Sequence, residues 1–543
     1  MAVTSTEAIK GLAATAGELK GPGTIPASAV WIRYGEFDGD ARGGPYADSL
    51  LDKPDAEYPV VKGAGAAAAQ VLVTVRVPKD APAGEYKGTV IVSAQGLAPV
   101  SVPVALTVFD WSVPDPVNFR TFVCGYQSPT SVALQYKVPE WSEEHWKLLD
   151  RSFELLGQLG NKALHIMVVD RAQFGNDEGM VYWVKKDGGG YDYDLSVFER
   201  YVKLAKKHCG TFDYVVLHVW HAGGWSDRGT KQENTVTVID KKTGKREHVQ
   251  VPEFATEESK KFWAEALAAI KASLAKEGLD KAMCLGTLSD STAPKDVFKM
   301  FSEAAPGVGW HRGCHTMNPA PKPYGIGPGS QVVYHEHCYG MSLANPAGAK
   351  GLPKLWELRG NPGTAYFRGD FDNMSLFRSR NWPEAALWTN KQGVGRFGLD
   401  FWNVINAKDS EGAAMQKSRN PKGSIGIYNR WPQSTCSQRE PTAYRFADAG
   451  PDGAVPNLRF EALREGLAES EALIVAAEAA NVHADKIGKE LADRIQALLL
   501  DRLNFCRSQG GPYGGNLTMH TGWQDLNRRL FAATAEASKK TGR

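Results

Sequence analysis

No stretch of this 543-residue chain comes near the ~18 consecutive apolar residues that a bilayer-spanning helix needs. Charge of one sign is lacking too: 63 Lys+Arg against 61 Asp+Glu leave a net +2. A chain so balanced offers neither a nucleic acid nor a membrane surface an electrostatic handle, and neither partner is expected. Cysteine is sparse. The seven residues (124, 209, 284, 314, 338, 436 and 506) are odd in number and show no CxxC spacing, which argues against a disulfide framework and against a structural zinc site. No cofactor is expected. The first twenty residues, MAVTSTEAIKGLAATAGELK, lack the apolar core of a secretory leader. That leaves two readings: a cytoplasmic protein, or a periplasmic or extracellular one whose leader has been removed. Internal repeats and low-complexity tracts are missing as well.

What is present is ordinary globular material, 43% hydrophobic and 23% charged. The length suits two or three domains, one of them large enough for a barrel of about 250 to 400 residues. Two early segments alternate cleanly: Val71, Val73, Val75 and Val77 share one face, as do Val100, Val102, Val104, Leu106 and Val108. Period-2 patterning with one half-solvated face predicts antiparallel sheet, and the turn-rich link between the segments predicts a β-sandwich over residues 1–112. DWSVPDP (110–116) is a proline-punctuated boundary.

From Phe119 the pattern changes to alternating strands and helices. Eight strands are predicted, at 119–125, 163–169, 213–220, 281–288, 308–313, 330–336, 364–369 and 395–403. Such alternation implies a parallel sheet, and eight units imply a closed (β/α)8 TIM-like barrel over residues 113–455. Ser142 should cap a helix with Trp141 and Trp146 as its hydrophobic staple and Trp146, Leu149, Phe153 and Leu156 as its buried stripe. The TVTVID-KKTG-KREHVQV pattern within 229–253 predicts a hairpin, either a lid over the active face or a solvated surface hairpin. Residues 456–543 should form helices completing the barrel.

One passage is the most telling. In FWAEALAAIKASLAKEGLDKAMCLGTLSD (262–290), Phe262, Ala266, Ile270 and Leu274 recur at helical spacing, Gly278 stops the helix, and an apolar strand ends at Asp290. A carboxylate at the carboxyl end of a buried barrel strand is where this fold keeps its chemistry. The passage resembles the barrel core of bacterial glycoside hydrolases related to family 123. LRFEALREGLAESEALIVAAEAA (458–480) resembles the signature of domain-of-unknown-function 4091, which sits on the same barrel. PKDAPAGEYKGTVIVSA (78–94) resembles the accessory β-sandwich of secreted polysaccharide-degrading enzymes. The resemblance to family 123 implies an Asp–Glu pair in which the Asp holds the substrate's 2-acetamido group and the Glu serves as acid and base. Here the pair is Asp290–Ser291, and a serine hydroxyl is a poor proton donor.

The strand ends offer replacements. Glu336, ending SQVVYHEH between two histidines, leads; Asp370 and Asp372 in FRGDFDN, two apart in an extended segment, come next. The expected catalytic set is therefore Asp290, Glu336 and Asp370. Tyr126, Asp170, Trp220, His221, Trp225, His315, His337, Tyr339, Arg368, Asp372 and Trp402 are expected to line a carbohydrate cleft around it. Each also has a plain alternative, since an Asp or His after a strand often caps a helix or binds loop amides. Arginines near the strand ends would suit an acidic or sulfated glycan by bidentate contacts, or would pair with surface acids. Two further function classes stay open: a carbohydrate-binding barrel that lost its acid at Ser291, and a metal-dependent lyase or isomerase using His335 and His337 with His221 and His315. Sugar, linkage and oligomeric state are left open.

Overall fold

The computed structural model describes residues 1–36, 40–41, 44–45, 49–61, 63–170, 172, 176–220, 234–287, 293–314, 332–338, 354–357, 364–366, 376–389, 391–402, 446–508 and 522–542. All eight predicted strands form: β1 Phe122–Tyr126, β2 Ala163–Met167, β3 Tyr214–His218, β4 Met283–Thr287, β5 Gly309–Cys314, β6 Val332–Cys338, β7 Thr364–Tyr366 and β8 Gly393–Gly398. They share one sheet in the order β1-β8-β7-β6-β5-β4-β3-β2, every pair parallel. β1 and β2, at opposite ends of that order, also touch. The Lys162 N–H donates to Val123 O at 2.9 Å, Val123 and Asn161 form a parallel bridge, and the Gly125 N–H donates to the Asn161 side chain at 2.8 Å. In a flat sheet those strands would lie roughly 34 Å apart at ~4.8 Å per strand. The sheet therefore curls until its edges meet.

Strand limits depart from expectation where local chemistry changes. β6 runs past Glu336 to Cys338, so Glu336 lies within the strand, paired with Gly313 and Thr364, and does not end it. β8 stops at Gly398, and Asp400 and Trp402 follow it.

Helices pack on the outside of the sheet. In α1 (Glu143–Gln158), Ser142 accepts the His145 N–H, the Trp141 and Trp146 rings lie 5.2 Å apart, and Trp146, Leu149, Phe153 and Leu156 are buried. These are the expected cap, staple and stripe. α2 spans Ser196–Cys209. α3 (Glu257–Lys276) is capped by Thr256 and followed by Gly278 at φ +72°. Trp263 joins Ala266, Ile270 and Leu274 in its core, while Phe262 is only partly buried. Beyond α4 (Lys295–Ala304) come α5 (Leu376–Trp388), α6 (Leu458–Val482), α7 (Lys489–Ser508) and α8 (Trp523–Thr541). α6 ties the end of the chain to its middle. Its Glu471 accepts the backbone N–H groups of Arg120 and Thr121, just ahead of β1, at 2.9 and 2.8 Å. Its Gly466 lets α5 approach so closely that a Cβ there would lie 1.9 Å from Arg380 O.

Two antiparallel sheets occupy the amino-terminal part. One contains Ala2–Ser5, Ala67–Val75, Val30–Gly35 and Leu50–Leu51 in that order, and the other is centred on Gly84–Ser93 and Val100–Val108. Tyr34, Ala69 and Val71 of the first share a core with Val90 and Val92 of the second. The predicted strand at Val71–Val77 starts earlier and ends at Val75. These sheets dock on the chain's carboxy-terminal third. Arg33, fully buried, donates to Glu461 at the start of α6 at 2.6 Å, and Ser49 donates to Asp448 at 2.9 Å. Burial lowers the Arg33 pKa against the pull of Glu461. Among the described residues, no helix is long and apolar enough to cross a membrane.

Candidate active site

Among the described residues, the loops after β2 and β3 build a small sheet of their own beside the carboxyl ends of the strands. The predicted hairpin forms, as Thr235–Ile239 paired with Arg246–Gln250. It is not alone. A second hairpin, Tyr182–Lys185 with Tyr191–Asp194, pairs with it in parallel through Trp183–Val238 and Val184–Ile239, giving one four-stranded sheet. Asp170, three residues past β2 and fully buried, stitches the two together. Its carboxylate accepts the Gly179 N–H at 2.7 Å and the Thr237 hydroxyl at 2.7 Å, and lies 2.9 Å from His248 Nδ1. Its own N–H donates to Thr235 O at 2.8 Å. This is the loop-binding alternative for an Asp after a strand.

Three other expected cleft residues have described side chains, and all are buried. Tyr126 ends β1 and sets its ring edge-on to His165, centroids 4.1 Å apart. Trp220 follows β3 by two residues. Trp402 donates its indole N–H to Ala447 O at 3.0 Å and lies edge-on to Tyr136. Near it, Asp400 accepts the Ser128 N–H at 2.8 Å and the Gln127 amide at 2.9 Å, and Gln127 in turn accepts from the Tyr201 hydroxyl at 2.9 Å. Burial raises the Asp400 pKa to about 6 despite those donors. Asp290, Asp370, Asp372, His221, Trp225, His315, Tyr339 and Arg368 lie outside the described residues. Glu336 and His337 are placed only by the β6 backbone.

A second constellation escaped the sequence reading. Cys124 of β1, His165 of β2, His218 of β3 and His311 of β5 are buried together. Cys124 Sγ is 3.3 Å from His165 Nε2, and His165 Nδ1 is 2.9 Å from His218 Nε2. The His311 ring lies edge-on to His165 with centroids 5.0 Å apart. The group occupies the sheet face turned away from the helices: a Cβ on Gly125 would meet Leu156 of α1 at 2.8 Å, so Cys124 and Tyr126, one residue either side, point the other way. Burial holds the His165 and His218 pKa values well below the ordinary imidazole range, with neighbouring imidazoles adding to the effect. Both rings are thus neutral at ordinary pH. The available signal was one histidine in each of three predicted strands, in ALHIM, YVVLH and GWHRGC.

Comparison with known proteins finds a family likeness over part of the chain and a fold likeness over all of it. Residues 126–316 match the family model described as glycoside hydrolase 123, catalytic domain. A solved family 123 glycoside hydrolase from Clostridium perfringens, studied for glycolipid glycan hydrolysis, superposes with a TM-score of 0.66 at 14% identity, covering 100% of this chain and 91% of that one. A Bacteroides ovatus GH5 xyloglucanase in complex with a XXXG heptasaccharide covers 84% of this chain and 96% of its own at 13% identity, with a TM-score of 0.24. No curated protein matches the sequence. Over residues 126–316, then, this chain is similar to the catalytic domain of glycoside hydrolase 123.

Proposed function

We propose that the protein is a glycosidase acting on a polysaccharide or oligosaccharide at the carboxyl ends of β1–β8, the wall of a closed (β/α)8 barrel that carries an amino-terminal accessory β-sandwich. The observation that carries the reading is the match of residues 126–316 to a glycoside hydrolase catalytic domain. Support for the barrel comes from eight parallel strands in chain order whose two ends meet between Val123 and Asn161. Support for the sandwich comes from two sheets sharing one apolar core.

Asp290 follows β4 by three residues in sequence and takes the Asp position of the family's pair. Ser291 cannot protonate a leaving group, so the acid is Glu336 on β6, with Asp370 and Asp372 next. A pair of carboxyl groups about 5 to 5.5 Å apart would retain anomeric configuration, and one roughly 6.5 to 9.5 Å apart would invert it. The Clostridium perfringens relative's glycolipid glycans are a natural first panel, beside acidic and sulfated glycans.

The test is cleavage and binding on one panel. Asp290→Asn should lower kcat at least about 100-fold while the fold keeps its stability. Glu336→Gln should lose activity on the natural glycan and keep it on an aryl glycoside whose phenolate leaves without acid help. Near-normal turnover of Asp290→Asn would end the catalytic assignment. Binding without cleavage across the panel would favour the carbohydrate-binding barrel instead.

A further inference from the structure

We propose that Cys124, His165 and His311 form a mononuclear transition-metal site of the zinc class on the helix-free face of the curled sheet, with His218 as the positioning residue for His165. The Sγ of Cys124 and one ring nitrogen from each histidine lie within 4.8 Å of one another, and all three residues are buried. In a tetrahedral zinc site with Zn–S near 2.3 Å and Zn–N near 2.0–2.1 Å, sulfur and nitrogen ligands stand about 3.5 Å apart. The Cys124 Sγ to His165 Nε2 separation is 3.3 Å. The pair is therefore already spaced to share an ion.

Ligand chemistry selects the ion class. One thiolate and two imidazoles suit zinc-like or softer metals and disfavour magnesium and calcium, which take oxygen ligands. On binding, the Cys124 thiol gives its proton to solvent and the thiolate sulfur donates to the metal.

The outer contacts fit the same picture. With Nε2 on the metal, His165 carries its proton on Nδ1, which is 2.9 Å from His218 Nε2. That is the second hydrogen bond by which metal-bound histidines are usually oriented. Gly286 of β4 leaves the space His218 occupies, since a Cβ there would lie 2.8 Å from His218 Cε1. Tyr126 holds the His165 ring from the side at 4.1 Å. Three protein ligands leave a fourth position for water or another small ligand, the pattern of an open site.

The test uses the full chain, grown in cobalt-supplemented minimal medium so that the ion is present during folding, with any affinity tag removed. Wild type should carry one cobalt per chain. It should show a near-ultraviolet thiolate-to-cobalt band and visible bands of four-coordinate cobalt, and X-ray absorption should find one sulfur at about 2.3 Å. Cys124→Ser should lose the thiolate band. His218→Gln should keep it but release cobalt to a chelator about 10- to 100-fold more readily. No bound cobalt in wild type, a metal shell without sulfur, or a thiolate band that persists in Cys124→Ser would each overturn the site. Should Cys124→Ser fail to fold, loss of the tetrahedral bands in His311→Asn decides the same point. None of these readouts involves glycan cleavage, so the outcome is independent of the hydrolase reading.

Discussion

Two buried polar clusters in this molecule solve the same problem in opposite ways. Between α5, α6, α7 and α8, polarity is buried as charge. Arg502 donates to both oxygens of Glu384, at 2.5 and 3.0 Å, to Asn527 at 2.9 Å and to Glu469 at 3.3 Å. Arg380 pairs with Glu469 and Glu465 and stacks over Trp523. Burial opposes the Arg502 charge, yet Glu384 and Glu469 outweigh it and its pKa is raised; burial likewise raises that of Glu469 against the pull of the arginines. On the inner face of the sheet, polarity is buried as imidazole and thiol, and Cys124, His165, His218 and His311 contribute no carboxylate and no guanidinium. The charged cluster has its partners on every side and acts as a fastening. The neutral one presents lone pairs that a metal ion can take up. Burial alone therefore says little about role; the balance of charge within the cluster says more.

The largest effect should come from breaking the fastening. Arg502→Met removes the cation and leaves Glu384 and Glu469 facing each other without it in a region where all three side chains are at most 8% exposed. Stranding a buried charge typically costs about 3–5 kcal/mol. A drop of that order in the unfolding free energy, measured by denaturant titration, is expected. Loss of less than about 1 kcal/mol, the size of an exposed pair, would show that the cluster is wetter and weaker than its geometry implies.

A smaller effect is expected at the neutral cluster. Gly286→Ala would bring its Cβ to 2.5 Å from Val216 Cγ1 and 2.8 Å from His218 Cε1. Overpacking of this kind costs about 1–3 kcal/mol. It also sharpens the comparison, because pushing His218 away from His165 should loosen cobalt retention, whereas Arg502→Met should leave cobalt spectra unchanged in the molecules that remain folded.

The contrast also shows which features a sequence reveals. β1–β4 were legible because strands covered on both faces read as largely apolar runs, as in FVCGY and YVVLH. The hairpin at 235–250 was legible from its alternation and from a turn in which Asp240 accepts the Lys242 and Thr243 N–H groups. Its partner hairpin was not. YWVK and YDYD are short, and the aromatic side chains in them look like loop decoration until Trp183 is seen buried against Phe262 and Trp263. Gly84–Ser93 hid inside a segment read as a turn-rich link, although it pairs along Val100–Val108 over nine residues. The residues of the neutral cluster lie 41, 53 and 93 positions apart (124 to 165, 165 to 218, 218 to 311). Only strand register and curvature bring them together, and a single sequence encodes neither. At the strand ends, Asp170 was found but its partners were not, since they come from two different loops.

The smallest effect, and the finest test of neutral against charged burial, lies at Asp400. It is fully buried, its hydrogen-bond partners Ser128, Gln127 and Ser152 are uncharged, and burial raises its pKa to about 6. An unfolded aspartate titrates near 3.9. The folded protein therefore holds this proton more tightly than the unfolded chain. The stabilisation that follows is complete below about pH 4 and is lost as pH rises through about 6. Asp400→Asn cannot titrate, so it should lack that dependence. The asparagine keeps one acceptor for the Ser128 N–H but turns an NH2 group toward the Gln127 amide, so it should melt below wild type at every pH, by an amount typical of one damaged buried hydrogen bond, about 1–3 kcal/mol. The informative quantity is the gap between the two melting curves. It should be widest at and below about pH 4 and narrow as pH rises from there through about 6, the value to which burial raises this carboxyl. A gap that widens with pH would mean that the folded state favours the carboxylate, and Asp400 would then belong with the charged cluster and not with the neutral one.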